Sequence, residues 1–303
     1  MGHDHSHGTA THAHRGRLRI ALALTLAVMV VEIVGGLLSH SLALVADAAH
    51  MATDALGLGM ALLAVHVAAR PPSDTATFGY ARAEILAALA NCLLLLGVGG
   101  YVVYEAVRRF MEPAQTDGSL ALVVGVVGLL ANCVSLGLLL RGQEESLNVR
   151  GAFLEVMADA LGSLAVIVSA LLVWLTGWPY ADTIASLLIG LMIVPRTWRL
   201  LRDTLNVLLE AAPRGVDLAE VRAHILGTPG VCAVHDLHAW TITSGMPVLS
   251  AHVVVDSGVL DSVGHEKMLH DLQGCLGHHF DVAHCTFQLE PAGHAEHEAG
   301  SCL

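Results

Sequence analysis

Residues 42–66 read LALVADAAHMATDALGLGMALLAVH, a run long and apolar enough to cross a bilayer as one helix, yet it contains Asp47, His50 and Asp54. At i, i+3 and i+7 these three residues share one helical stripe. A mid-helix Asp costs about 2.5–3.5 kcal/mol to insert, whereas a Leu returns only about 0.3–0.6 kcal/mol, so such residues face a protein interior or a partner rather than lipid. A second stretch, NVRGAFLEVMADALGSLAVIV from Asn148, repeats the pattern with Glu155 and Asp159. Two i, i+4 pairs on separate helices can converge as four N/O ligands, the number and type that suit a divalent ion such as zinc. At 1.5 Å per residue Asp54 lies roughly 18 Å from the outer end of its span and Asp159 roughly 10 Å from the inner end of its own, so the pairs can meet near the midplane.

The rest of the composition agrees with a membrane protein. Of 303 residues, 54% are hydrophobic and only 14% charged, against roughly 25% charged in a soluble domain; the mean hydropathy is +0.64. Six spans are predicted near residues 18–38, 42–67, 84–107, 119–140, 152–174 and 180–200. The first follows basic residues but is too long for a signal sequence and is followed at once by further spans. In a six-span arrangement Arg15, Arg17, Arg19, Arg70, Arg82, Arg141, Arg150, Arg196, Arg199 and Arg202 fall on one side, with only Arg108 and Arg109 on the other. Positive residues near span ends stay in the cytoplasm, so both termini are expected there. The net charge of −12 does not conflict, because the rule counts Lys and Arg and largely ignores acids.

From about Leu205 charged residues return and the apolar positions fall into short alternating runs. Helix 217–227, strands 231–241 and 247–256 joined at Ser244-Gly245, helix 261–279 and strand 283–290 are predicted, a small helix-on-sheet layer. The expected organisation is a His-rich flexible cytoplasmic tail (1–17), a six-helix membrane domain (18–204), a soluble domain (205–291) and a flexible C-terminal tail (292–303). About 90 residues is marginal for a lone core, which favours dimerisation through the soluble domain. The six cysteines form no CxxC pair and suggest neither a disulfide framework nor a thiolate site.

With Asp54, Glu155 and Asp159 ionised, an empty site would hold three negative charges in a poorly solvated place. A divalent cation or protons must fill it, and the two compete because the ligands bind metal only when deprotonated. Asp47, one turn outward of His50, is either an acceptor behind the ligands, a step on the exit path, or a tie to a neighbouring helix. Glu32, Glu84, Asn91 and Asn132 read as polar residues that pair helices. His3, His5, His7, His12 and His14 suggest a chelating tract of modest affinity, with a tail of no transport role as the alternative.

The stretches VEIVGGLLSHSLALVADAAHMATDALGL, TFGYARAEILAALAN, LNVRGAFLEVMADALGS, AVHDLHAWTITSG, LSAHVVV and TFQLEP, in that order, resemble the cation diffusion facilitator family. The resemblance implies a homodimeric efflux transporter for zinc and related divalent ions, driven by proton exchange, with six transmembrane helices and a cytoplasmic ferredoxin-like α+β domain. It implies a transport site at His50, Asp54, Glu155 and Asp159, and metal binding in the soluble domain, where His235, His252, His284 and Glu290 occupy strand segments and Asp236 and His238 could orient them. The zinc branch most often has His where this chain has Glu155, so an oxygen-richer site leaves cobalt, iron or manganese open. The expected partners are divalent metal ions, a second copy of the chain and membrane lipid, with no nucleic acid. Zn2+ is the expected cargo and also a regulatory ion, and protons are the counter-ion. One Lys beside fourteen Arg points to a bacterial plasma membrane. A membrane metal sensor without transport and a metalloenzyme are the rival classes; nothing resembles HExxH, so no enzyme activity is expected.

Overall fold

A computed structural model of the chain describes residues 7–140, 147–280, 284–291 and 294. Six long helices come first: α1 (His7–Ser39), α2 (Leu42–Ala68), α3 (Ala83–Met111), α4 (Gly118–Leu140), α5 (Leu147–Thr176) and α6 (Tyr180–Leu208). Each is long and apolar enough to cross a membrane, and they fall on the six expected runs. The protein is a multi-pass integral membrane protein. Leu37, Leu62, Leu63, Tyr104, Val123 and Leu130 lie on exposed helix surfaces, as lipid-facing side chains must. α1 begins at His7, so part of the tract expected to be flexible is helical; a helix nucleated by the apolar run from Leu18 elongates cheaply, one hydrogen bond per residue fixed. His3 and His5 lie outside the described residues.

Close packing divides the chain into two compact units, Met1–Met60 with Ala90–Leu200 and Ala61–Leu89 with Leu201–Leu303. In the first, α4 packs against α1 and α5 through small residues. A Cβ on Gly118 would stand 2.8 Å from the Ala170 carbonyl oxygen, and one on Gly35 would stand 2.6 Å from Val124. The N-terminus of α2 is capped from α6: Ser41 Oγ donates to Asp182 Oδ1 at 2.5 Å, and the Leu42 N–H donates to Oδ2 at 2.7 Å. Asp182 thereby satisfies amides that a helix start leaves unpaired, and Arg109 stands 3.6 Å away to balance its charge.

The second unit contains the sheet domain: α7 (Leu218–Leu226), β1 (Val231–Thr241), β2 (Pro247–Val255), α8 (Ser257–Val263), α9 (His265–Phe280) and β3 (His284–Pro291). The sheet order is β1-β2-β3, with β1 antiparallel and β3 parallel to β2. Asp217 caps α7 by accepting from the Ala219 N–H at 2.8 Å. The helix expected over 261–279 is two helices broken at Gly264, whose φ of +86° suits only glycine. Val221 and Ile225 of α7 and Met268 and Leu272 of α9 close over Leu237, Leu249, Val253 and Val255 of the sheet. This is the small α+β domain expected after the six spans.

Candidate metal centres

α2 presents His50 and Asp54 one turn apart, with His50 Nε2 3.5 Å from Asp54 Oδ2. His50 Nδ1 and Asp54 Oδ2 are buried and make no hydrogen bond. From α5, Asp159 is 3% exposed; its charge and that of Asp54 act on one another. Glu155, one turn earlier, lies close enough to Asp54 for their charges to repel. The helices therefore bring all four residues into one neighbourhood. They do not draw three ligand atoms within 4.8 Å of one another, which among the described residues happens only in the sheet domain.

A cavity of about 140 Å³ adjoins them, lined among others by Asp47, His50, Asp54, Asn91, Gly162 and Arg196. Glu155 and Asp159 are not among its lining residues. Asp47 is 1% exposed, and its Oδ1 sits so close over Gly162 that a Cβ there would overlap it. Gly162 thus makes the notch that admits the Asp47 carboxylate. Of the residues expected to pair helices, Asn132 donates from Nδ2 to Ser163 Oγ at 3.3 Å. Glu84 accepts from Thr243 Oγ1 at 2.6 Å and Ser244 Oγ at 3.0 Å. Glu32 is fully buried with neither carboxylate oxygen hydrogen-bonded.

Arg196 was not expected here. Its Nη2 lies 3.7 Å from Glu155 Oε1, although the sequence places it with the arginines at a span end. The available signal was its position directly after Pro195 inside α6.

In the sheet domain, His235 and His252 are cross-strand partners. A bulge between His235 and His238, with Asp236 at φ +46°, brings Asp236 to the same place. His235, Asp236 and His252 each offer a ligand atom within 4.8 Å of the others. The Glu290 side chain is 2% exposed and reaches both rings: Oε2 is 3.1 Å from His235 Nε2 and Oε1 is 2.8 Å from His252 Nδ1. Gln288 Nε2 donates to Glu290 Oε1 at 2.9 Å and steadies it. The Asp236 carboxylate, 3.0 Å from His235 Nδ1, raises the pKa of His235, burial lowers it and Glu290 raises it again, for a net rise. This donor set, two imidazoles and carboxylates, fits a divalent ion.

His284 does not join it. It pairs in register with Val248, whereas His252 is opposite Gln288, about 13 Å further along at roughly 3.3 Å per residue. It is exposed, with its ring edge-on to Phe78. His238 faces a separate hollow of about 900 Å³ with Arg82, Glu210 and Trp240, where the described residues gather no set of metal ligands.

Six spans, ionisable groups facing an internal cavity and a small α+β domain define a polytopic membrane protein with two places where a cation could sit. A model of the cation efflux transmembrane domain matches residues 18–209, and one of the cation efflux protein cytoplasmic domain matches residues 213–292. The chain belongs to the cation efflux family, the cation diffusion facilitators. The metal cation efflux system protein CzcD of Cupriavidus metallidurans is 48% identical over 264 residues, covering 87% of this chain and 83% of that protein. The zinc transporter ZitB of Escherichia coli is 43% identical over 264 residues, covering 86% and 83%. The cadmium, cobalt and zinc/H(+)-K(+) antiporter of Bacillus subtilis is 36% identical over 279 residues, covering 90% and 88%. The solved metal-bound C-terminal domain of the CzcD transporter is 47% identical, covering 25% of this chain and 99% of that one at a TM-score of 0.23.

Proposed function

We propose that this protein exports divalent metal cations from the cytoplasm, with Zn2+ as the principal cargo and protons as the counter-ion, and that it is not an enzyme. The observation that carries the reading is the placement of His50, Asp54, Glu155 and Asp159 around one membrane-embedded locus, in a chain of the cation efflux family. Polar groups so placed need a ligand or a partner, and a neutral imidazole with carboxylates is a donor set for zinc. In the cytoplasm-facing state the ion binds these four residues. Rearrangement of the helices then opens the locus outward, and protons arriving on the carboxylates weaken their hold and release the ion. Asp47, buried beside His50, accepts protons or orients the ligands during that exchange.

The names of the relatives, which include zinc, cadmium and cobalt, support a divalent cargo. Zinc leads because His50 supplies nitrogen, while Glu155 widens tolerance toward cobalt, iron and manganese. The working protein is a homodimer in a bacterial inner membrane with both termini cytoplasmic. Residues 18–204 translocate the ion, and residues 205–291 bind metal at His235, Asp236, His252 and Glu290 and join the protomers. An ion held there would take the place of the His235–Glu290 hydrogen bond and of the close His252–Glu290 approach, tightening the sheet from which the dimer is built.

Vesicles containing the purified protein and a pH-sensitive dye test this directly. Zinc entry coupled to proton movement in the opposite direction is expected, with Asp54→Ala and Asp159→Ala inserting normally but reducing flux to that of empty vesicles. Zinc binding without flux would reassign the protein as a sensor. Full flux in either variant would overturn the site.

A further inference from the structure

Among the described residues lining the membrane cavity, Arg196 is the one arginine or lysine. Its guanidinium is 3.7 Å from one oxygen of Glu155, Oε1. Its charge also reaches His50 and Asp159. A carboxylate can bridge in this way, one oxygen held by a cation and the other free for a metal, and a guanidinium is a planar donor that never gives up its proton. The charge count at the locus then changes. Asp54, Glu155 and Asp159 carry three negative charges, one more than a divalent ion neutralises, and Arg196 removes that excess.

We propose that Arg196 is a specificity-setting residue of the transport site. Through Glu155 it lowers the net charge presented to the cargo to that of two carboxylates, so that a divalent ion is bound at neutrality and can be released. Without Arg196 the locus would hold its ion too tightly to turn over quickly. Arg196 acts through Glu155 and does not itself touch the metal, so it positions and tunes a ligand. Pro195, immediately before it, removes one rung from the α6 hydrogen-bond ladder, which places this charge where the helix bends most easily.

The inference rests on the proposed transport site, so the experiment separates the two. Zn2+ is titrated into the full-length protein in detergent by calorimetry, in a His252→Ala background that removes a ligand of the sheet-domain centre. Arg196→Gln is expected to bind Zn2+ about tenfold more tightly, a factor between the bulk-water and protein-surface limits for one charge at ion-pair range. Its vesicle flux should be lower at saturating metal. Glu155→His, which leaves Arg196 uncompensated, should bind about tenfold more weakly. The double variant should return to within about threefold of the parent, and Arg196→Lys should do the same, because both restore the charge balance. A structural role for Arg196 predicts the reverse pattern. Weaker binding by Arg196→Gln, or a double variant weaker than either single change, overturns the proposal. If Asp159→Ala titrates like the parent, the transport site itself is misassigned and both readings fall.

Discussion

The two candidate metal centres differ in how far the protein brings their side chains together. In the sheet domain, a bulge and a cross-strand pair hold His235, Asp236 and His252 within 4.8 Å, with Glu290 already touching both rings. In the membrane, α2 and α5 bring the four candidate ligands near one another without closing them to that distance. A strand network fixes side chains through its ladder of hydrogen bonds, whereas two helices have no such ladder between them and can still move relative to each other. On the proposed function the difference suits the work of each centre: a regulatory ion is retained, and a transported ion must be let go.

The largest effects should come from breaking the looser centre. Asp159→Ala is expected to reduce metal flux to the leak of empty vesicles, whereas Glu290→Gln, in the tighter centre, should leave flux measurable and change its dependence on cytoplasmic metal. Equal loss of flux in both would show that the sheet centre is required for transport and does not merely bias it. Next in size is the affinity of the sheet centre. On the proposed function Glu290 is a ligand that also touches both imidazoles, so Glu290→Gln should weaken metal binding there by at least the roughly 10–100-fold that replacing a group behind the ligands costs. Calorimetry on full-length Asp159→Ala protein reads this centre without the membrane one.

The two units also differ in how their helices are started. Asp217 caps α7 locally, and Asp217→Ala should cost about 1 kcal/mol. Asp182 caps α2 from another helix while buried and paired with Arg109. Asp182→Ala strands buried amides, although Arg109 keeps Glu105 and the His40 carbonyl, so a loss of about 2–3 kcal/mol is expected, at the upper end for such groups. Thermal unfolding in one detergent compares the two. Similar losses would mean that the α2 cap is satisfied by water.

Most of the fold was legible in the chain. Apolar runs long enough to span a bilayer announce themselves, and the alternation in 231–241 and 247–255 gives both long strands of the sheet. Gly264 was less visible, because a lone glycine inside a helical pattern is ordinarily tolerated and only its positive φ reveals the break. At the sites, one-turn spacing revealed His50 with Asp54 and Glu155 with Asp159, since periodicity reports which residues share a face. It cannot report partners across elements. For that reason Arg196 was read as a topology marker, Asp236 as a neighbour of the ligands, and His284 as one of them. His284 shares a strand with Glu290, but the register of β3 against β2 separates it from His252.

The smallest expected effect sharpens the contrast from the side of protons. His235 has its pKa raised above the ordinary 6.5, chiefly by Asp236 and then by Glu290, against the opposing effect of burial. In metal-free protein the charged His235 pairs with carboxylates, so its stabilising contribution is fully present below pH 6.5 and is lost as pH rises through the folded-state value. Metal loading has the opposite sign, because the ion needs the neutral ring: as pH is lowered, affinity should begin to fall while still above pH 6.5 and continue to fall with further acidification. The stability term should be below about 1 kcal/mol, since the His235 side chain remains in contact with solvent. Unfolding of full-length protein in chelator between about pH 5.5 and 8.5 should show this slope, and Asp236→Asn should flatten it. An unchanged slope in Asp236→Asn would assign the proton to another group, and the bulge would then serve only to place a metal ligand.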